Sequence, residues 1–380
     1  MGDQWITDVD AVCFEKSYDI YNLSVKYTEE NLVKDQVEII IKSYVLPCVL
    51  AFGLFGNLLF LFVVARVRSM RTITNMYLTN LAIADLFYLS VGVGEKLWRY
   101  HISPVKDDRT PFGNIGCVFF PFVVDTTYTA SVLLVTMVTV ERYYAICKPF
   151  WHRRMATRKR TIKLIVATWI VSLCLAAMLI PGHYPMVYRC LIYPDDPKYD
   201  GYPSLNGYCS AVKPWLIHLV NGCQNIPFFI AMIVSSFLYT LIIKSLHARV
   251  KTDIALNSDR YQLTQVRNSV TKMLLVTGIL FFLCLFPYQL CTFSLMVAGI
   301  ISDDAYRKVN DVVEPFWPIL QTMMYVNSAM NAYVYGITNA RYRQALIKTF
   351  DCACEKQKMI MSSISMKSST QTIAENLDKA

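Results

Sequence analysis

Charged side chains are scarce in this sequence. Only 17% of the 380 residues are Asp, Glu, Lys or Arg, while 54% are hydrophobic. A soluble globular domain is nearer a quarter charged, because its surface faces water. The shortage argues against an ordinary soluble protein and indicates a membrane protein.

The motifs of the common enzyme classes are also missing. No cysteine or histidine cluster has the spacing of a zinc site, and neither a nucleophile elbow nor a phosphate-binding loop is present. Gly92-Val93-Gly94 lies inside a long apolar run, where no phosphate would reach it. The sequence therefore predicts neither an enzyme nor a resident cofactor.

Internal symmetry is absent as well. Many membrane transporters are built from repeats with paired broken helices, and neither feature is visible here. A membrane transporter remains only as an alternative interpretation.

The net charge of +9 is not gathered into a face that would bind nucleic acid. Lys and Arg occupy short segments between apolar runs, such as Arg66, Arg68 and Arg71, or the six between Lys148 and Arg160. Cytoplasmic loops of membrane proteins carry this excess. We therefore expect a multi-pass protein of the plasma membrane, surrounded by lipid, with its amino terminus outside and its carboxyl terminus inside.

Long apolar runs are what the sequence has in abundance. Seven of them reach about 20 residues or more, the length that one membrane-spanning helix needs. We predict an all-α membrane protein, with a seven-transmembrane helix bundle over residues 38–336 after an extracellular segment, 1–37. The predicted spans are Val37–Ala65, Asn75–Trp98, Cys117–Ile146, Ile162–Pro181, Lys213–Leu246, Val270–Ile300 and Val309–Tyr335.

Two cytoplasmic segments follow the seventh run. The stretch NARYRQALIKTF has apolar residues at helical spacing and basic residues between them, which predicts an amphipathic surface helix over residues 337–351. Cys352 and Cys354 come next and are candidate palmitoylation sites. The tail, 352–380, is rich in Ser and Thr, which predicts disorder and sites for phosphorylation.

Four of the twelve cysteines are predicted to face the oxidising side: Cys13, Cys117, Cys190 and Cys209. Four cysteines allow three pairings, and spacing alone does not choose among them. Asn22 begins a glycosylation sequon on the same side, so we expect a glycoprotein.

A carboxylate interrupts the second run near its middle. Asp85 costs free energy there unless it is paired, hydrated or neutralised. One interpretation is a protonated Asp85 that hydrogen-bonds to its neighbours. The other is an oxygen-lined pocket for a small cation such as sodium, formed by Asp85 with Ser131, Asn327 and Asn331.

Charged and aromatic residues gather at the inner ends of the runs. Glu141 and Arg142 stand where the third run meets the cytosol, as an ordinary interfacial pair or as part of a switch. In the second interpretation Arg142 leaves Glu141 and meets Tyr239 and Tyr335, which would make a two-state element.

Another polar set lies at the outer ends of the runs. Glu95 and Arg99 are four residues apart, so they either pair with each other or contact a ligand. Asp125 has no obvious local partner. The set is aromatic and carries both signs of charge, which suits a peptide with at least one basic group. The candidate ligand-binding residues are Glu95, Arg99, Asp125, Tyr128, Tyr288, Gln289, Thr292, Trp317 and Gln321.

Motifs spread over the whole chain resemble the rhodopsin-like (class A) G-protein-coupled receptors. Singly most of them are weak, but in this order and on these predicted helices they are specific. They are Gly56-Asn57, the LAIAD run ending at Asp85, Cys117, Glu141-Arg142-Tyr143, Trp169, Cys284 with Pro287, and Asn327-Ser328-Ala329-Met330-Asn331 leading to Tyr335.

The resemblance implies a receptor that activates a heterotrimeric G protein, with arrestin and receptor kinases acting on its Ser/Thr-rich tail. It implies a disulfide between Cys117 and Cys209, which leaves Cys13 with Cys190, and a sodium site at Asp85, Ser131, Asn327 and Asn331. It also implies a set of residues for activation and G-protein coupling: Glu141, Arg142, Tyr143, Phe150, Tyr239 and Tyr335.

The sequence departs from the family pattern at three places. Leu285 stands where most members have the Trp of a CWxP motif, and Ala332 replaces the proline of NPxxY. In the fifth run the expected proline position holds Ala231, and Pro227 comes one turn earlier. We expect a different kink in helix five and a straighter helix seven.

The residues at the positions where family members contact their ligands indicate the ligand class. The seventh run has no lysine for retinal, and the position of the aspartate of amine receptors holds Val124. The general pattern resembles the neuropeptide branch, with receptors for short amidated peptides of the neuromedin U, thyrotropin-releasing hormone and FMRFamide kind. We predict a neuropeptide receptor; a small amine or another non-peptide ligand is the alternative.

Overall fold

A computed structural model describes residues 19–23, 32–213, 215–255 and 260–350, with the side chains of residues 219, 221, 223, 247–255 and 260–275 left out. The described residues form seven long helices, α1 to α7, and each helix runs antiparallel to the one before it. Six of them are long and apolar enough to span a membrane. The bounds are α1 Gln36–Arg66, α2 Ile73–Ile102, α3 Gly113–Cys147, α4 Arg158–Leu179, α5 Trp215–Ala255, α6 Arg260–Ile301 and α7 Trp317–Thr338.

The seventh helix is shorter than predicted. A separate helix, Asp303–Val313, follows α6, and its first turn is capped by Ser302. A 3-10 turn, Glu314–Phe316, then leads into α7 at Trp317. The predicted start at Val309 is wrong because Pro315 and Pro318 lack the backbone N–H that a continuous helix needs.

Helix α3 lies at the centre of the bundle. Every residue from Asp125 to Val132 is buried, so other helices surround this part of α3 on all sides. Helices α2, α4 and α5 pack along it. The indole of Trp169 on α4 donates to the Asn80 side chain on α2, 3.1 Å away.

Two helices contain a widened π-helical turn that the sequence did not predict. The turns are Ile41–Val45 in α1 and Tyr88–Val93 in α2. Such insertions commonly lie at functional sites, since they change where the following side chains point. In α2 the insertion separates Asp85, deep in the bundle, from Glu95 and Arg99 at the outer end.

A three-stranded sheet covers the outer end of the bundle. Strand β2, Met186–Ile192, pairs antiparallel with β3, Leu205–Cys209, and parallel with β1, Asp19–Asn22. The Cys117–Cys209 disulfide joins this sheet to α3, as the family resemblance implied. Cys190 is disulfide-bonded as well. Its predicted partner, Cys13, lies outside the described residues.

A helix over residues 340–350, α8, turns away from α7 at Asn339. The Asn339 side chain accepts hydrogen bonds from the backbone N–H groups of Arg341 and Tyr342. The Tyr342 ring packs against Phe60 of α1, with ring centroids 5.7 Å apart. Phe350, predicted to share the apolar face, is exposed. Cys352, Cys354 and the tail, 352–380, lie outside the described residues.

Candidate functional site

A large cavity opens at the outer end of the bundle, with a volume of about 1200 Å³. It is walled by α1, α2, α6, α7 and the β2–β3 hairpin. Of the nine predicted ligand-binding residues, five line it: Arg99, Tyr288, Thr292, Trp317 and Gln321. The rings of Tyr288 and Trp317 pack edge to face with centroids 5.3 Å apart, so α6 and α7 share an aromatic wall.

Arg99 is held in place by two carboxylates. Its Nε lies 2.6 Å from Glu95 Oε1, and its Nη1 lies 2.8 Å from Asp107 Oδ1. Arg109 adds a longer contact of 3.8 Å to the same Glu95 oxygen. The local pairing of Glu95 with Arg99 is therefore present. Glu95 does not line the cavity, whereas Arg99 does, so its guanidinium presents a fixed positive surface.

Asp125 has partners from two distant segments. The amide of Gln224 on α5 donates to Asp125 Oδ1 at 2.8 Å, and His183 Nε2 lies 3.7 Å from Asp125 Oδ2. His183 lines the cavity, and Asp125 lies behind it. Neither partner was predicted, because only the folded loop after α4 and the start of α5 bring them to α3.

The remaining predicted residues form a buried layer below the cavity. Gln289 Nε2 donates to the Tyr128 hydroxyl at 2.6 Å, which ties α6 to α3. Thr292 donates to the Asn225 side chain at 3.1 Å, which ties α6 to α5. Tyr128 and Gln289 are buried and do not line the cavity, so they support its floor.

Several cavity residues lie outside the predicted ligand-binding set. Lys42 of α1 and Lys96 of α2 add positive charge, while Glu314 adds a half-buried carboxyl whose pKa is raised by burial. Asp35, at the start of α1, is at the rim. Its partial burial favours the neutral form, but hydrogen bonds from the Glu38 backbone and Lys106 outweigh it and lower the Asp35 pKa. The positions of Asp35 and Glu314 in the cavity wall depend on how the segments between the helices fold, and no local sequence pattern predicts that.

Asp85 lies in a buried polar cluster midway through the bundle. Asn331 Nδ2 donates to Asp85 Oδ2 at 2.8 Å, and Ser131 and Ser328 are adjacent. Asn327 is buried on the same helix, and Asn57 donates to the carbonyls of Gly53 and Ser328. Within the described chain, Asp85 Oδ1 and Ser131 Oγ accept or donate no hydrogen bond. Two free oxygens of this kind fit a small hard cation.

The inner end of α3 is arranged differently from the prediction. Arg142 donates from Nη2 to the Thr74 hydroxyl on α2, and Glu141 lies 3.3 Å from His152 Nδ1. Across the described residues, no hydrogen bond or ion pair joins Glu141 to Arg142. The predicted pair is thus not formed, because α2 and the short helix Pro149–Met155 offer each side chain another partner.

The four other predicted switch residues differ in their surroundings. The Thr139 hydroxyl donates to Tyr239 at 2.9 Å. Tyr335 is buried against Phe60, and its hydroxyl has no hydrogen-bond partner in the described part of the chain. Phe150 is 78% exposed on the inner surface. The Tyr143 ring packs on Tyr144, with centroids 5.6 Å apart.

The residues that depart from the family pattern are all packed in the core. Leu285 and Ala332 are 2% and 5% exposed, and Ala231 is 3% exposed. A Cβ on Gly56 would lie 3.3 Å from the Ala332 methyl, so α1 and α7 approach closely where a proline would otherwise stand.

Comparison with known proteins gives a consistent picture. Residues 56–335 match the family described as 7 transmembrane receptor (rhodopsin family). Neuromedin-U receptor 2 of Mus musculus is 28% identical over 321 residues, which cover 82% of this chain and 76% of the relative. Growth hormone secretagogue receptor type 1 of Sus scrofa is 28% identical over 308 residues, covering 79% of this chain and 78% of the relative.

Proposed function

The chain belongs to the rhodopsin family of seven-transmembrane receptors, and we propose that it binds an extracellular neuropeptide and activates a heterotrimeric G protein. The relatives named above, a neuromedin-U receptor and a growth hormone secretagogue receptor, support the peptide class. The single observation that carries the proposal is the outer cavity of about 1200 Å³, which is open, polar and charged. An amine would need far less space.

The cavity suits a peptide that carries a basic group. Asp125 Oδ2 accepts no hydrogen bond in the described chain, and His183 stands between it and the cavity. An arginine, lysine or amino terminus that displaces His183 would gain a charge-assisted hydrogen bond to Asp125. Tyr288 and Trp317 would pack on the neighbouring part of the peptide.

The inner residues support a shift between two states of the bundle. We infer that the coupling state is the one in which Arg142 leaves Thr74, α6 moves outward, and Tyr239 and Tyr335 approach Arg142. A ligand favours that state only through contacts that are stronger there. Phe150, on the exposed inner surface, is the proposed contact to the G protein.

The Asp85 cluster is the proposed site of an allosteric sodium ion. Asp85 and Ser131 would supply free oxygens, and Asn327 and Asn331 would complete the polar shell. A bound cation would favour the state in which these side chains are close together, so sodium is expected to lower agonist affinity.

Placement and processing complete the proposal. The receptor would lie in the plasma membrane with residues 1–37 outside and the tail, 352–380, inside. Asn22 would carry a glycan, Cys352 and Cys354 would carry palmitate, and receptor kinases with arrestin would act on the tail. Asn22 is exposed at the end of β1, while Ser24 of its sequon lies outside the described residues.

The experiment is a screen of synthetic neuropeptides, including amidated neuromedin-U-type peptides, on cells that express the receptor, with calcium and cAMP as readouts. At least one peptide should act at nanomolar to micromolar concentration, and Asp125→Ala should weaken a basic agonist by tenfold or more. Surface staining controls for expression. Response to amines but to no peptide would contradict the proposal, and unchanged potency would remove Asp125 from the site.

A further inference from the structure

Within the described residues, one cation of the cavity makes neither a hydrogen bond nor an ion pair. Lys42 pairs with Glu38, and Lys106 lies 3.0 Å from Asp35. Lys34 donates to the Tyr100 carbonyl, and Arg189 donates to Asn206 between two tyrosine rings. Lys96, half-buried on α2, makes no hydrogen bond or ion pair within the described residues.

The carboxylates nearest to Lys96 are already engaged. Glu95 is bound by Arg99 and Arg109, and Asp107 is bound by Arg99. Across the whole cavity wall, eight Lys and Arg residues face five Asp and Glu residues. The wall is therefore positive overall, and a partly desolvated ammonium in such a wall is stabilised by an incoming anion.

We propose that Lys96 binds a carboxylate of the peptide, either its carboxyl terminus or an Asp or Glu side chain. The proposal rests on the proposed function, because it assumes a peptide in the cavity. With Asp125 at the other charge site, the receptor recognises a peptide that carries both signs of charge, and Lys96 selects against peptides without an acidic group.

The test uses the most potent agonist from the neuropeptide screen in matched forms: free acid against carboxamide, and each Asp or Glu against Asn or Gln. Lys96→Met should lower the potency of the acidic form at least tenfold and leave the form without the recognised carboxylate within twofold. The form that becomes insensitive identifies which carboxylate binds. Lys308→Met, at an exposed pair with Asp304, is the matched control.

The outcomes separate two failures. If the wild-type receptor answers no peptide, the proposed function fails. If it answers peptides but Lys96→Met changes acidic and neutral forms equally, only the Lys96 site is overturned. A charge-reversed pair, Lys96→Glu with a peptide whose acid is replaced by Lys, should recover part of the potency; no recovery, with surface expression intact, also counts against the site.

A second observation concerns how α5 and α6 fit together. His218 faces Gly299, Asn225 pairs with Thr292, and Tyr239 faces Gly278. The step from His218 to Asn225 is seven residues, and so is the step back from Gly299 to Thr292. Fourteen further residues on each helix lead to the Tyr239–Gly278 contact. The three contacts therefore share one antiparallel seven-residue register.

A seven-residue repeat is the signature of helices that pack along one continuous seam. The register also predicts a layer between the second and third contacts. Met232 lies seven residues after Asn225, and Leu285 lies seven residues before Thr292, so these two side chains are placed opposite each other. Leu285 belongs to the main core, and Met232 is partly buried and packs against it. Leu285 is the residue that replaces the family tryptophan, and the register gives it a role as one apolar layer between two polar or aromatic ones.

Glycine closes the seam at both ends. A Cβ on Gly278 would lie 2.1 Å from the Tyr239 hydroxyl, and one on Gly299 would lie 1.9 Å from the His218 ring. No side chain fits at either point unless the aromatic ring or the helix moves. The inner layer also includes Thr139 of α3, which donates to Tyr239.

We infer that α5 and α6 are joined by this seven-residue seam and that Gly278 is a positioning residue that keeps the inner end of α6 against Tyr239. The inference also rests on the proposed function, since the seam must open at its inner layer when α6 moves outward. The His218–Gly299 layer stays closed and serves as the pivot.

Disulfide trapping tests the register without any ligand. In a Cys284→Ser background, Met232→Cys with Leu285→Cys should cross-link under mild oxidation, whereas Met232→Cys with Leu283→Cys should not, because Leu283 is exposed. Equal cross-linking of both pairs would overturn the register. The background replaces the native thiol next to Leu285.

The positioning role has its own readout. Gly278→Ala should raise basal G-protein signalling several-fold, because a Cβ there would lie 2.1 Å from the Tyr239 hydroxyl and would force the inner ends of α5 and α6 apart. Gly94→Ala is the control, since a Cβ there meets nothing within 4 Å. If Gly278→Ala and Gly94→Ala show the same basal signalling at equal surface expression, the positioning role of Gly278 is refuted.

Discussion

Two arginines at the ends of the bundle, Arg99 outside and Arg142 inside, are held in opposite ways. At the outer end, Arg99 is held by Glu95 and Asp107 at 2.6 and 2.8 Å. At the inner end, Arg142 reaches only the Thr74 hydroxyl, and its Nε has no partner in the described chain. The outer arginine is fixed by two carboxylates and lines the cavity. The inner arginine loses little interaction free energy when it changes partner.

The same contrast applies to the carboxylates. Glu95 is bound by two arginines, but Glu141 faces His152, a partner whose charge depends on protonation. The pairs of Arg99 with Glu95 and Asp107 resist rearrangement, because breaking a buried pair leaves an uncompensated charge. An end with orphaned polar groups has alternative arrangements of similar free energy, as a switch requires.

Removal of the inner arginine should have the largest effect. Arg142→Gln should abolish G-protein activation, a loss of at least a hundredfold, because the charge that is proposed to meet Tyr239 and Tyr335 is lost. Peptide binding should stay within threefold. The measurements are agonist-stimulated nucleotide exchange and radioligand binding. Lys163→Gln, an exposed cation near the inner end of α4, is the matched control; retained coupling in Arg142→Gln would contradict the assignment.

Loss of the outer disulfide should come next. Cys209→Ser releases β3 from α3, and a native disulfide of this kind stabilises by about 2–5 kcal/mol. We expect a lower melting temperature in detergent and weaker peptide binding, while any receptor that folds still couples. Cys174→Ser, which removes an exposed free thiol, is the control. Equal melting temperatures for the two variants would show that the outer end does not depend on the bond.

A smaller effect is expected when the inner arginine is released without being removed. Thr74→Val keeps the volume but deletes the acceptor of Arg142, and a hydrogen bond to a charged group is worth about 1.5–3 kcal/mol. The coupling state should gain population, so basal signalling should rise about tenfold. Thr240→Val, an exposed threonine on α5, is the control. A fall in basal signalling would mean that Thr74 supports the coupling state.

The smallest effect concerns the rim of the cavity. The pKa of Asp35 is lowered in the folded protein, so its contribution to stability is present above the ordinary value of 3.8 and is lost as pH falls through the lower folded pKa. Asp35→Asn should remove this pH dependence and leave the cap of α1 intact, because Asn caps helices as well as Asp does. The pH dependence is measured by hydrogen exchange of residues 36–40 between pH 5 and 3. The same pH dependence in the wild-type protein and in Asp35→Asn would contradict the prediction.

Much of the fold could be predicted because it depends on composition along the chain. Six of the seven predicted spans are helices long and apolar enough to cross a membrane, as the length of the apolar runs indicated, and the family motifs implied the Cys117–Cys209 disulfide. The Asp85 cluster was also anticipated, since Asp85 and Asn331 hydrogen-bond in the structure. A polar group inside a membrane has few ways to be satisfied, so the choice of partner is narrow.

The partners at the two ends could not be predicted in the same way. Glu141 was expected to face Arg142, its neighbour in sequence, but the folded loop brings His152 closer. Asp125 was left without a partner, although Gln224 and His183 reach it. Adjacent residues on a helix point about 100° apart, so the surrounding helices decide which of them meets a partner.

The sequence by itself determined that this chain spans a membrane seven times and belongs to a receptor family, because hydrophobic length and ordered motifs are properties of the chain alone. Only the tertiary structure decided which charges are saturated and which are free. Among the described residues Lys96 makes no ion pair, Arg142 donates to the Thr74 hydroxyl, and Gly278 meets Tyr239, because of how helices far apart in sequence pack. Distances of a few ångströms between such helices set the electrostatic and steric terms on which signalling depends.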